Sequence, residues 1–401
     1  MVIPMRAARR SRSPGRFVRE CRAIGLGGLV AALLLVLSMP AASAQTPIRV
    51  TDIVGREVVL AHPARRIVLG AWVSLDALSL LHPDPVSLLA GWAQGGANAV
   101  QPTIMRARFP DIDKVPVVGR DALDTLSVEA ILAARPDLVV LSQFDAFRYG
   151  ASGGAPPPVV AQIEAAGIPV VVLDFFLDPL RHTEPSLRAL GRLIGREAEA
   201  EAFLTFYTRH LDEVRRRVGA TTTRPSVFFH AFADRTDCCF SAGPGTVNEV
   251  ITLAGGHNIG ADVLKGPIGQ LSAEYVLAHD PDAYVATAIS GAPSTSGFSL
   301  GPGVDAEQAA TGFAALVGRP DLASLGAVRR GRILGLWHLF VHTPVHVVAV
   351  EALAKFLHPD SFADIDPAHT LDEINARFLA APLEGTFWTT TRRAVQTNGK
   401  P

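Results

Sequence analysis

From residue 45 onward, short runs rich in β-branched residues alternate with segments whose apolar positions recur at helical spacing. Runs at 66–70, 86–91, 115–118, 138–142 and 169–175 predict strands in the first half, and 226–232, 283–288 and 332–337 predict strands in the second. Helical segments at 127–134, 158–166, 246–254, 272–279 and 344–357 fall between them. Strand, helix, strand at this spacing requires crossover connections, and therefore mostly parallel sheets with helices on both faces. The predicted fold class is α/β. Pro136-Asp137 and Pro281-Asp282 each end a helix and open a buried strand, and Gly255-Gly256 closes the helix beginning near Thr246. Residues 49–50 and 57–60, split by a turn containing Gly55, predict a small entry hairpin.

One segment breaks the alternation. Residues 184–218 are charged, Ala/Leu-rich and almost free of breakers, with Leu187, Leu190, Ile194, Phe203, Phe206, Leu211 and Val214 at roughly helical intervals. Gly191 and Gly195 weaken a helix there only modestly. A continuous helix would run about 50 Å, more than a crossover needs. It is expected to join an N-terminal lobe, 45–183, to a C-terminal lobe, 219–383. The polar stretch 384–401 is expected to be a flexible tail.

The first 44 residues stand apart from this pattern. Seven arginines, from Arg6 to Arg22, precede an apolar run at 24–37, then Pro40 and the small residues Ala42-Ser43-Ala44. That order is expected of a cleavable export signal. A membrane anchor is the alternative, but about 14 apolar residues reach only about 21 Å as a helix, short of a hydrocarbon core of roughly 30 Å. Cys21 precedes the apolar run, so it does not fit a lipidation site; Arg9-Arg10 leaves the export route open.

Removing the leader changes the charge. The chain carries −1, the leader's seven Arg and one Glu carry +6, and −7 remains for the rest. A mildly acidic chain without a Lys/Arg block is a poor partner for nucleic acid. Some 357 residues exceed one ordinary core, so two domains are expected. Beyond the leader only Cys238 and Cys239 remain, and no disulfide framework is implied. Adjacent cysteines bridge only with backbone strain, so these two are expected to be small, partly buried residues.

In open α/β sheets, ligands sit beyond the carboxyl ends of the strands. That rule nominates the loops starting at Ala71-Trp72, Trp92-Ala93, Gln143-Phe144, Ala233-Asp234-Arg235 and His338-Leu339-Phe340. Trp72, Trp92 and Trp337 all fall within one or two positions of a predicted strand end; ordinary packing there is the alternative for each. His338, His342 and His346 share a spacing of four that invites a metal-ligand reading. Pro344, however, is expected to start a helix, which would leave His338 and His342 in the preceding loop. Ligand contact or packing is therefore favoured over direct metal coordination, and no metal site is predicted.

Seven pieces in order carry a family likeness: TDIVGREVVL…ARRIVLG, VPVVG…LSVEAILAARPDLVVLS, IEAAGIPVVVLD, the long helical segment, VNEVITLAGGHNIGA, LSAEYVLAHDPDAYVAT and VRRGRILGLWHLF. Across nearly the whole chain after the leader, this resembles the periplasmic binding proteins for iron-siderophore, haem and cobalamin uptake. The resemblance implies a class III architecture: two Rossmann-like lobes with mostly parallel sheets, one long backbone helix between them, and ligand held in the cleft. It implies the solute-binding role in an ABC importer, with a membrane permease and its ATPase as partners, a periplasmic location, a monomer, and no resident cofactor besides the captured chelate.

A ferric siderophore offers a broad, often anionic surface, which Trp and Tyr can cover and Arg can hydrogen-bond. The expected contacts are Trp72, Trp92, Phe144, Arg148, Tyr149, Arg235, Trp337, His338, Phe340 and His342, with Arg148 beside Tyr149 the leading pair. Haem, ligated by Tyr149, His338 or His342, cobalamin, or a bare metal ion are the alternatives. In resembling proteins, an acidic residue on each lobe meets permease arginines; the matching positions are Glu129 and Glu274. Both also open a helix, where the dipole alone favours a carboxylate.

An enzyme reading finds no support. The chain has no G-x-x-x-x-G-K and no G-x-G-x-x-G after a strand. Gly243-Pro244-Gly245 makes a tight turn more simply than an anion site. A hydrolase using the cleft between the lobes remains a remote alternative.

Overall fold

The first half contributes β1 (Ile48–Thr51), β2 (Glu57–Leu60), β3 (Ile67–Leu69), α1 (Ser74–Leu81), β4 (Leu89–Gln94), α2 (Pro102–Arg108), β5 (Val117–Arg120), α3 (Val128–Ala134), β6 (Leu138–Ser142), α4 (Pro158–Ala165) and β7 (Val170–Leu173). The computed structural model describes residues 46–95, 102–120, 125–144, 157–235, 238–291 and 294–390. The expected signal segment, Arg148 and Tyr149 lie outside the described residues. β1 and β2 form the expected antiparallel hairpin, with Gly55 at φ +84° in its turn. Five strands pair in parallel in the order β5-β4-β3-β6-β7. Their apolar runs alternate between two cores: Ile67, Leu69, Leu138 and Val140 enter one, while Val68, Val139 and Leu141 enter the other with Ile131 and Ile163. Burial on both faces is why these strands read as unbroken apolar runs.

The second half contributes α5 (Pro179–Ile194), α6 (Glu197–Gly219), β8 (Ser226–His230), β9 (Phe240–Ala242), α7 (Val247–Leu253), β10 (His257–Asn258), β11 (Ile268–Gln270), α8 (Ala273–His279), β12 (Ala283–Ala288) and β13 (Gly301–Pro302). It continues with α9 (Ala306–Val317), α10 (Pro320–Ala323), α11 (Gly326–Arg329), β14 (Ile333–Trp337), α12 (Val347–Leu357), α13 (Pro367–Arg377), β15 (Gly385–Thr386) and β16 (Trp388–Thr389). The second sheet runs β10-β8-β12-β14-β16, parallel except for β16.

The two Pro-Asp steps do the same job in each sheet. Asp137 accepts from Arg65 N at 2.8 Å and Arg66 N at 3.0 Å, fixing the entry to β3 beside β6. Asp282 accepts from Ser226 N and Ser226 Oγ, both at 2.8 Å, fixing the entry to β8 beside β12. The helices before them match as well. Ser127 and Ser272 cap α3 and α8 by accepting from the third backbone amide, and Arg135 and Asp280 close them in the left-handed region.

The expected single helix over 184–218 is two helices. Gly195, at φ +68°, caps α5, and Arg196 N donates back to Gly191 O at 2.7 Å. α6 then folds back along α5, with Arg188 Nε to Glu201 Oε1 at 2.7 Å and Thr208 Oγ1 to Glu184 Oε1 at 3.2 Å. Gly191 permits this packing, since a Cβ there would crowd that of Ala200. α6 packs against α1, α7 and α12. It buries Phe203, Phe206, Tyr207 and Leu211, each worth about 1.5–3 kcal/mol of burial. Tyr207 Oη and His346 Nε2 meet at 2.7 Å inside that contact.

The expected tail also contains structure. After α13, Phe378 packs edge-on against Phe203 at 5.4 Å between centroids. Ala380 N donates to Ser79 O at 2.9 Å, and Arg108, paired with the buried Asp76 at 2.7 Å, donates to Ala381 O. The chain then returns to the second half, where β15 pairs with β13 and β16 with β14. Residues 385–389 are therefore part of the fold; 391–401 lie outside the described residues.

Candidate functional site: an aromatic cavity between the sheets

The carboxyl ends of the two sheets converge on a cavity of about 290 Å³. From the first half it is lined by Trp72 after β3, Ser142 and Phe144 at the end of β6, and Phe175 and Phe176 after β7. From the second half come Phe229 and Phe232 around the end of β8, Phe240, Ile289 after β12, and His338, Leu339 and His342 after β14. Among the described residues, the lining holds no Asp, Glu, Lys or Arg.

Several rings of the wall contact one another. Phe144 meets Phe176 edge-on at 5.2 Å, and Phe176 stacks on His342 at 4.0 Å. Phe232 lies 3.8 Å from His338. Residues 338–342 form a 3-10 turn, Pro344 opens a second one, and α12 begins only at Val347. His338 and His342 thus sit in the preceding turn, as Pro344 led one to expect. Their Nε2 atoms face each other at 3.4 Å. Thr287 Oγ1 takes up His338 Nδ1 at 2.9 Å, so Nε2, which is hydrogen-bonded to His342 Nε2, is the ring nitrogen a ligand could take in exchange for that contact. Burial lowers the pKa of both rings: His342 to about 4, and His338 well below its ordinary value, with the His342 and Arg235 charges adding to burial. Both are neutral at physiological pH, the form that ligates metals. His346 is differently used, with Tyr207 Oη and Thr343 O occupying its two nitrogens at 2.7 and 2.9 Å. Among the described residues no group of three or more His, Cys, Asp or Glu side chains is placed to hold a metal ion.

Phe175 and Phe176 are held by Asp174. Its buried carboxylate accepts from the amides of Phe176, Leu177 and Asp178 at 2.8–2.9 Å, and pairs with His182 Nδ1 at 2.8 Å. Burial alone would raise its pKa; the His182 bond and the three amides outweigh burial and hold it below the ordinary value. His182 is raised in return, chiefly by its bond to Asp174. Behind this loop, burial and then the charge of Asp178 raise Glu249 on α7 to about 7.

The structure brings Trp72, Phe144, His338 and His342 together on the wall. It does not bring Trp92, Trp337 or Phe340 there. Trp92 lies within β4, because Pro85 and the Asp84 cap turn 85–88 into a 3-10 helix and the strand extends to Gln94. Trp337 is buried edge-on against Phe340 and Phe387 at 5.1 and 5.2 Å. Arg235 is half-buried near Phe232, off the wall. Glu129 and Glu274 are exposed in the first turns of α3 and α8. Cys238 and Cys239, expected as separate small residues, are joined by a disulfide just before β9. The rings that sequence reasoning passed over are chiefly Phe175 and Phe176. Ending the strand at Leu173 instead of Phe175 would have placed them in a strand-end loop.

Residues 78–336 match the model of the periplasmic binding protein family. The chain belongs to that family. It is 28% identical over 213 residues to a cobalamin-binding protein of Halobacterium salinarum, covering 50% of this chain and 52% of the relative. It is 30% identical over 163 residues to a vitamin B12-binding protein of Yersinia pestis, covering 40% of this chain and 52% of that one. The chain thus spans about half the length of the curated relatives it matches. Its fold is that of the TroA-like periplasmic binding protein FepB from Veillonella parvula, with TM-score 0.73 and 24% identity over 86% of this chain and all of that one.

Proposed function

We propose that this periplasmic binding protein is the solute-binding component of an ABC importer, and that it captures a metal chelate in the aromatic cavity. The observation that carries the proposal is the pair of neutral imidazoles, Nε2 to Nε2 at 3.4 Å, set in a wall of aromatic rings. Two nitrogen donors are too few for a bare ion, which in a closed site takes about four ligands. They suffice for a metal whose other positions are already filled by an organic shell, and that shell would rest against Trp72, Phe144, Phe175 and Phe176. The role is capture and release, without catalysis. Glu129 and Glu274, one on each lobe, meet cationic side chains of the membrane permease, whose ATPase drives release. The protein acts in the periplasm after removal of the leader.

Within the chelates, a ferric siderophore and a tetrapyrrole divide the support. Arg148 and Tyr149, which favour an anionic siderophore, follow Phe144 in sequence, but the described wall is uncharged. An aromatic wall uncharged among its described residues and relatives described as cobalamin-binding favour a corrinoid or haem. Tryptophan fluorescence of the leader-free chain, titrated with ferric hydroxamate, catecholate and carboxylate siderophores, haem, cobalamin and zinc, separates these. Saturable quenching by one chelate, weakened in Trp72→Ala, supports the proposal and names the ligand. Binding of zinc alone, or of none of them, overturns it.

A further inference from the structure

Six large apolar side chains are exposed among the described residues: Val59, Val117, Leu132, Val263, Ile268 and Leu277. Val59 lies on the entry hairpin and Ile268 lines the ligand cavity. The other four fall on or beside α3 and α8, the helices that carry Glu129 and Glu274. Leu132 follows Glu129 by three residues, and Leu277 follows Glu274 by three, so each pair shares one helix face. Leu132 is 39% exposed and Leu277 48%, whereas Ile131 and Val276, one position earlier, are buried in the cores. Val117 adjoins Val118, whose carbonyl receives Ser127 N, the cap of α3, at 2.8 Å. Val263 follows the 3-10 turn at Ile259–Asp262, which Tyr275 of α8 clasps by donating to Ile259 O at 2.9 Å.

The same surface is thus built twice, by helices that also share their serine cap, their left-handed closing residue and the Pro-Asp clasp that follows. Neither glutamate takes part in an ion pair among the described residues. An exposed ion pair contributes only about 0–1 kcal/mol and is screened by salt. Apolar side chains around a charge exclude water from it on docking and strengthen it.

We infer that each lobe docks on the importer's permease through a mixed patch: Glu129 with Leu132 and Val117 on one, and Glu274 with Leu277 and Val263 on the other. The inference rests on the reading of the two glutamates as docking residues, and adds the apolar half of the contact. The complementary surface on the permease is a cation bordered by apolar side chains, present twice. The exposed glutamates make each patch anionic, the charge that suits a cationic permease surface.

The test places benzoylphenylalanine at position 132, 277 or 59 of the full, ligand-loaded chain, photo-crosslinks it to spheroplasts of its own organism, and measures ligand uptake by variants. Positions 132 and 277 should trap the same polytopic membrane protein and position 59 should not. Leu132→Gln combined with Leu277→Gln should lower uptake about tenfold, the loss of one to two buried leucine contacts, with ligand affinity measured in parallel to establish that the variant folds. Crosslinks at 132 and 277 no stronger than at 59, with uptake normal in the leucine variant but lowered by Glu129→Ala or Glu274→Ala, overturn the apolar patch and leave the glutamate reading standing. Crosslinks and leucine sensitivity with full uptake in both glutamate variants sustain the patch and sink the glutamate reading.

Discussion

His342, from the second half of the chain, stacks on Phe176 of the first half with ring centroids 4.0 Å apart and planes inclined by 10°. The contact makes one wall of the cavity from both lobes. It also fixes the ring whose Nε2 faces His338. Removing the imidazole therefore takes away a donor and an interlobe contact together. His342→Ala is expected to weaken chelate binding by at least about tenfold, roughly one lost charge-free contact of this size. If a ring nitrogen ligates the metal, His342→Ala or His338→Ala also shifts the visible absorption of the bound chelate. Phe176→Ala weakens binding without that shift. Titration followed by absorption separates the two roles.

The Asp174–His182 pair predicts a window of pH. Asp174 is held below its ordinary pKa, so its stabilisation is present above about pH 4 and is lost as pH falls through the lower native value. His182 is raised, so its contribution is complete below about pH 6.5 and is lost as pH rises through the higher native value. Both contributions are present together between these limits. Asp174→Asn is expected to cost on the order of 2 kcal/mol there, since a charged acceptor serving three amides and an imidazole is lost. Thermal unfolding of the two proteins at pH 5.5 and pH 8.5 checks the sign: the gap in Tm should be larger at pH 5.5.

Much of this fold was legible because the strands of a covered parallel sheet are unbroken apolar runs. Leu138–Ser142 and Ala283–Ala288 coincide with the expected residues for that reason. α1 was not legible: SLDALSLL between Trp72 and Pro83 is buried along its whole length, and all-round burial leaves no amphipathic period to find. The cavity was half legible. Strand ends nominated Trp72, Phe144, His338 and His342, but a boundary two residues too long hid Phe175 and Phe176, and three buried aromatics were nominated from position alone. No sequence pattern distinguishes a Trp that ends a strand in a cleft from one that ends it in the core, because both bury the same apolar area.

The helix break at Gly195 was hidden for another reason. Gly191 and Gly195 lie one turn apart, and either is tolerated in a helix, but only Gly195 adopts φ +68°. A Cβ there would also approach Pro63 at 3.2–3.3 Å. Gly195→Ala is thus expected to destabilise the chain by about 1–2 kcal/mol through backbone strain. Gly191→Ala is expected to cost at least as much, for a different reason: its Cβ would meet Ala200 and the Arg196 carbonyl where α5 and α6 touch. Urea unfolding should show lowered midpoints with an unchanged slope for both. A Gly195→Ala midpoint equal to the parent's would mean the two helices can fuse without cost.

Glu249 gives a prediction of opposite sign to Asp174. Burial and the neighbouring Asp178 raise its pKa to about 7, above the ordinary value for a glutamate. A carboxyl raised in the native state favours folding below its unfolded pKa, and that benefit is lost as pH rises through the native one. At pH 8 the native chain must hold Glu249 ionised beside Asp178 and near Asp174, with one Glu249 oxygen buried and unpaired among the described residues. Glu249→Gln removes the charge and keeps the shape. It should raise Tm at pH 8 by roughly 1–3 °C, the response of a chain this long to a gain of under about 1 kcal/mol. At pH 5, where the glutamate is already largely protonated, the two proteins should melt together. Because α7 also supplies Val247 to the cavity wall, ligand affinity measured on the same variant reports whether this charge reaches the bound chelate. An equal Tm at pH 8, or a rise of the same size at pH 5, would show that the Glu249 charge is not what limits stability there.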